Sequence, residues 1–149
     1  MLIINETEVQ SLLPMDECVA TLDATFREWA HGTVSNMPRY RLPLMRGAQQ
    51  VMAGMSASLG VTGLKTYVTG TNGSSHMVVL LFSSDDGRPL AMVAANRLGQ
   101  IRTGAASGVA THHMAREDSA VLGIIGRGYQ AQTQLAAINS VRSIERAHV

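Results

Sequence analysis

A chain of 149 residues, 46% of them apolar, has the length of one ordinary domain and ample material for a core. A formal net charge of +1, from Lys and Arg scattered along the chain, excludes an argument for nucleic-acid binding, and the single cysteine, Cys18, excludes an internal disulfide or a multi-thiolate metal site. The start, Met1-Leu-Ile-Ile-Asn5, shows no basic segment leading into an apolar run, and no stretch approaches the ~18 apolar residues that span a bilayer, so the expectation is a soluble, cytoplasmic chain with no membrane contact.

In chain order, Leu2–Ile4 reads as a short strand, and Asn5 or Thr7 as the cap of a brief helical turn before Pro14. From Asp16 to Ala30, Val19, Leu22, Phe26 and Trp29 or Ala30 recur at three- and four-residue steps, which predicts an amphipathic helix that Gly32 ends. The character then changes to strands punctuated by turn residues. The candidates are Tyr40–Leu44, Gln50–Ser56, Leu64–Thr69, Met77–Ser83 and Pro89–Ala94, with Asp86-Gly87 as a hairpin signal between the last two. From Leu98 to Arg116 the small residues Gly104, Ala105, Ala106, Ser107, Gly108 and Ala110 predict a closely packed helix. Glu117-Asp118-Ser119 links that helix to one more strand.

The last segment is the most specific. Ala120-Val-Leu-Gly-Ile-Ile125 reads as a buried strand running into Gly126-Arg-Gly-Tyr-Gln-Ala131, a GxGxxA turn that opens a helix. In such a turn Gly126 permits the sharp bend and Gly128 lets backbone approach a pyrophosphate. Ala131 keeps helix and strand close, and the helix N-terminus supplies N–H donors and positive dipole. Gly126, Gly128, Tyr129, Gln130 and Ala131 are therefore candidate cofactor-binding residues. The residue that would read the cofactor ribose, ~20 positions further on, would fall beyond Val149, so the chain is expected to be cut inside its cofactor domain.

The ordered set of Pro38-Arg39-Tyr-Arg-Leu-Pro43, Gly63-Leu-Lys65, Val79-Leu-Leu-Phe82, Asp86-Gly-Arg-Pro-Leu-Ala91, Arg102-Thr-Gly-Ala-Ala-Ser107 and Gly126-x-Gly-x-Gln-Ala131 resembles the ornithine cyclodeaminase/mu-crystallin family, in the same order and over essentially the whole chain. The resemblance implies an α/β fold. A mixed α/β domain for substrate binding and dimerisation (1–117) would be followed by the beginning of a Rossmann nucleotide-binding domain (118–149), and the molecule would be a homodimer whose sheets join across the two-fold. It also implies an NAD(P)-dependent enzyme. Members exchange hydride between NAD or NADP and the α-carbon of a small amino or imino acid, in deamination, cyclodeamination or ketimine reduction.

By the same resemblance Arg39, Lys65 and Arg102 fall on carboxylate-binding positions, with Arg41 competing with Arg39 because the register of the Pro-Arg-Tyr-Arg-Leu-Pro pattern is loose. Arginine forks and a lysine point charge suit a carboxylate that must be held while its α-carbon reacts. Lys65 is also the catalytic candidate, hydrogen-bonding the developing imine or a reacting water. Arg102, Thr103 and Ser74 are further cofactor candidates, and the family's acidic residue lies beyond Val149. Taken alone, a strand Arg is a solvated side chain, a lysine between Leu64 and Tyr67 is a snorkelling one, and Ser or Thr hydroxyls mostly cap backbone.

No metal is expected. His112 and His113 are adjacent and face different sides of their helix, and His31, His76 and His148 have no acidic or thiol partner at metal spacing. Cys18 beside Val19 reads as packing. A low charged fraction, 15%, points to apolar surface for a partner subunit or another domain. The alternative function is a non-catalytic dimerisation or ligand-binding fragment. Neither the substrate nor the choice between NAD and NADP is legible.

Overall fold

The structure, a computed structural model, describes residues 1–70 and 75–149. Its elements are β1 (Leu2–Ile4), α1 (Glu6–Leu12), α2 (Met15–Ala30), β2 (Val34–Asn36), β3 (Tyr40–Pro43), β4 (Ala48–Ser56), β5 (Val61–Thr69), β6 (Val78–Ser83), β7 (Pro89–Ala94), α3 (Asn96–Met114), β8 (Val121–Gly123), α4 (Ala131–Val141) and β9 (Arg146–His148). The class is mixed α/β. Two compact units emerge, residues 1–11 with 27–98 and residues 12–26 with 99–149. The boundary expected after residue 117 rested on a change of sequence character, whereas compactness groups most of α3 and of α2 with the segment beyond it.

The first unit is built on a seven-stranded sheet of order β1-β7-β6-β5-β4-β2, with β3 also pairing β4. Neighbours are antiparallel except β1, which runs parallel to β7. Asn5 caps α1 as predicted: its Oδ1 accepts from the Thr7 and Glu8 N–H groups at 2.9 and 3.0 Å, and the Glu8 carboxylate accepts from the Asn5 N–H. The hairpin at Asp86-Gly87 joins β6 to β7, with Gly87 at φ 72° and the Ser83 N–H donating to the Arg88 carbonyl. The strand β2 has no counterpart among the predicted elements, because three residues of Val-Ser-Asn carry no alternation to read.

Side-chain alternation splits this sheet unevenly. Gln50, Ser56, Ser83, Ala91 and Val93 are the buried strand positions, and the register places all of them on one face. The other face carries Val51, Ala53, Leu64, Leu80, Met92 and Ala94, all half-buried, and Ile3 and Tyr40, which are 68% and 63% exposed. It is largely apolar, with Gln49, Thr62 and Thr66 as its polar members, and it is less buried than the first face. At the unit's other margin Glu6 closes the start of α3, its two carboxylate oxygens accepting from the Asn96 and Arg97 N–H groups at 2.9 and 2.7 Å. A carboxylate there complements the helix dipole.

The second unit contains a parallel βαβ arrangement: β8, the glycine turn, α4, and β9 paired to β8 in register Val121 to Arg146 and Gly123 to His148. Its core is Cys18, Val19, Ile101, Ala105, Val109, Thr133 and Ala137. The small residues of α3 are explained by α4. A Cβ on Gly104 would lie 2.3 Å from the Thr133 carbonyl oxygen, and one on Gly108 3.0 Å from that of Ala137. Arg142 locks the far end of this pair, its guanidinium donating to the carbonyls of Thr111, His112, Ala115 and Arg116 at the C-terminus of α3.

Candidate functional site

Four backbone and side-chain facts define the glycine turn. Gly126 sits at φ 96°, a region closed to side chains without strain. Gly128 has no such requirement, and a Cβ built on it meets nothing within 4 Å. The fold itself therefore gives no reason for glycine at 128, whereas a ligand approaching the backbone would. The helix behind the turn starts without a side-chain cap at Gln130; its Ala131 N–H donates to the Gly128 carbonyl at 3.0 Å, and the positive end of the helix dipole lies at the turn. Tyr129 and Arg127 are exposed, and Ala131 is half-buried at the helix start. These features fit the pyrophosphate of a dinucleotide.

The strand residues of the first unit are placed by register. Lys65 lies on β5 between Met52 of β4 and Val79 of β6, on the same sheet face as the buried Gln50 and Val93. It is half-buried, and its Nζ sits 5.6 Å from the Tyr67 ring centroid. Arg41, on β3, faces Gln50, and its Nε donates to the Gln50 side-chain oxygen at 3.1 Å. Gln50 in turn donates to the Thr69 hydroxyl at 3.3 Å, so Arg41 is committed to a polar chain within the sheet.

Arg39 stands just before β3, where the register steps. Asn36 lies opposite Gly54 and Tyr40 opposite Val51, four residues advancing on one strand against three on the other. An extra residue of this kind re-aims the side chains beside it. Arg39 is exposed and makes no side-chain hydrogen bond or ion pair among the described residues. Of the two competing arginines, it is the one left available.

Arg102 lies inside α3. The helix begins at Asn96, so Arg102 is nearly two turns in, exposed, between the buried Ile101 and the half-buried Thr103. Burial pushes the Cys18 thiol up from its ordinary value, and the Arg102 charge pulls it partly back, which places this guanidinium within electrostatic reach of α2. The Thr103 hydroxyl donates to the Gly99 carbonyl at 2.6 Å, the backbone-capping role that such hydroxyls commonly take. Ser74 lies outside the described residues.

Two polar side chains escaped the sequence reading. Gln100 is 1% exposed, and its amide donates to the carbonyl of Tyr129 in the glycine turn. His113 Nε2 meets Asp23 Oδ1 at 2.6 Å, tying the end of α3 to α2. Neither had a motif to announce it. Among the described residues no group of three or more metal-ligating side chains occurs, and no helix is long and apolar enough to cross a membrane.

Known proteins with this sequence pattern and architecture agree with one another. An alanine dehydrogenase of Archaeoglobus fulgidus is 35% identical over 150 residues, covering 96% of this chain and 46% of that protein. An archaeal alanine dehydrogenase, solved as a dimer with bound NAD, superposes with a TM-score of 0.91 at 33% identity, over 99% of this chain and 47% of that one. The Delta(1)-pyrroline-2-carboxylate reductase of Thermococcus litoralis, solved with NADH and L-proline, gives a TM-score of 0.90 at 32% identity, over 99% and 48%. The chain thus spans about half the length of the relatives it matches. Its sequence matches the family pattern from residue 1 to residue 149, and the chain belongs to the ornithine cyclodeaminase/mu-crystallin family.

Proposed function

We propose that the intact protein exchanges hydride between NAD or NADP and the α-carbon of a small α-amino or imino acid. The observation that carries this reading is the parallel βαβ unit with an uncapped helix behind a turn whose Gly128 faces open space. Family membership supports it, since relatives named for alanine dehydrogenation and pyrroline-2-carboxylate reduction share both units. The nicotinamide, when bound, supplies or accepts the hydride.

This chain's residues do the holding. The N–H groups at the start of α4 and the bare backbone at Gly128 take the pyrophosphate, with Gly126, Tyr129, Gln130 and Ala131 forming the rest of the turn. Arg39, Lys65 and Arg102 bind the substrate carboxylate, which fixes the direction of the Cα–H bond. Lys65 also hydrogen-bonds the developing imine or a reacting water. Residues 1–117 would form the substrate and dimerisation domain, and 118–149 the start of the nucleotide-binding one. The protein would work in the cytoplasm as a two-fold dimer. Its largely apolar sheet face, with the half-buried Leu64, Leu80 and Met92, is the surface we assign to that contact.

Titration of the intact protein with NADH and NADPH, followed by nicotinamide fluorescence, tests the cofactor half of this reading. The wild type should bind one of them, and Gly128→Val should bind neither, because the branched side chain fills the space the pyrophosphate needs. Equal binding by both proteins would refute the assigned turn.

A further inference from the structure

We propose that Gln100 is a positioning residue for the dinucleotide turn: its buried amide orients the Tyr129–Gln130 peptide so that the turn presents an N–H to the cofactor phosphate. The inference rests on the function proposed above and concerns how the site is held together. Gln100 sits at the head of a matched stripe. Gln100 meets Tyr129, Gly104 meets Thr133 and Gly108 meets Ala137, a step of four residues on each helix in the same chain direction. The two helices therefore pack in parallel with a fixed register. Gly104 and Gly108 are contacts of backbone on backbone and fix spacing alone, while Arg142 holds the opposite end through four carbonyls.

Of these contacts, the one from Gln100 reaches the turn itself. It is fully buried, and a fully buried side-chain amide needs a partner. The Tyr129 carbonyl is one such partner. In a trans peptide the N–H points opposite to the C=O. Anchoring the Tyr129 oxygen on α3 thus turns the Gln130 N–H away from α3, at the helix start that has no side-chain cap. Without the amide donor this peptide loses its anchor on α3, although the neighbouring Gly128 and Gln130 carbonyls stay bonded, and the N–H is aimed at the phosphate for only part of the time. The same helix carries Arg102 two positions on, so substrate charge and cofactor turn share one rigid mount.

The test is steady-state kinetics on the intact enzyme with the dinucleotide and the amino or imino acid varied separately. Gln100→Met keeps side-chain length and removes the donor. It should raise the dinucleotide KM roughly tenfold, the value of one hydrogen bond to a buried carbonyl, and leave the amino-acid KM unchanged. Gln100→Glu should show a raised dinucleotide KM at neutral pH that falls back toward wild type as the pH is lowered, because the protonated carboxyl regains a donor. Gly108→Ala, which crowds the same helix pair away from the turn, should lower thermal stability with no change in dinucleotide KM. A wild-type dinucleotide KM in Gln100→Met, no pH recovery in Gln100→Glu, or an equal rise in Gly108→Ala would overturn the proposal. Failure of the wild type to bind any nicotinamide dinucleotide would instead overturn the function on which it rests.

Discussion

Arg102 projects from α3 beside Ile101 and Gln100, both buried, so its backbone is held while its side chain stays in solvent. An arginine anchored in this way loses less freedom on gripping a carboxylate than one on a loop. Removing a charge-assisted fork that orients the reacting carbon costs about 2–4 kcal/mol of transition-state stabilisation. Arg102→Ala in the intact enzyme should therefore lower kcat/KM roughly 30- to 1000-fold while dinucleotide affinity is retained, as separate substrate titrations would show. A kcat/KM equal to wild type would remove Arg102 from the site. Arg39, exposed at a register step, and Lys65, on the better-buried sheet face, complete the assigned set. Arg41 is set apart from them by its bond to Gln50.

Among the elements, α3 and α4 approach each other backbone to backbone at Gly104 and Gly108. A methyl group on Gly104 would come within 2.3 Å of the Thr133 carbonyl oxygen, and backbone cannot give way as a flexible side chain can. Gly104→Ala should cost about 1–3 kcal/mol from overpacking, read as a lower Tm in a thermal melt; an unchanged Tm would mean the helices are not packed in this register. The small residues that predict a closely packed helix thus have a physical cause; a cap residue is enough to place α1, periodicity to place α2, and turn residues to place β3 to β7. Boundaries are less legible. The helix α3 starts two residues before Leu98, because its first turn is closed by Glu6, ninety residues earlier, which no local pattern encodes. Gln100 escapes a sequence reading for the same reason. A glutamine inside a helix looks like any solvated polar residue until its partner, the Tyr129 carbonyl, is in place.

For the whole molecule, the sheet of the first unit has one face that holds every buried strand position and another of Leu64, Leu80, Met92 and their neighbours that buries none. A largely apolar face of this kind is rarely left in water. We expect light scattering of the intact protein at micromolar concentration to give the mass of a dimer, and Leu80→Glu, which puts a charge at the centre of that face, to give a monomer. A monomeric wild type would remove the face from the account. Hydride exchange at the α-carbon can be followed by isotope transfer. The intact enzyme is supplied with nicotinamide dinucleotide deuterated at the transferring position and a panel of small cyclic and acyclic imino acids, and the products are read by mass spectrometry and NMR. The expected product is an amino acid carrying deuterium at its α-carbon. Turnover of the panel that leaves the α-carbon free of deuterium, or no turnover of any member with either NADH or NADPH, would contradict it.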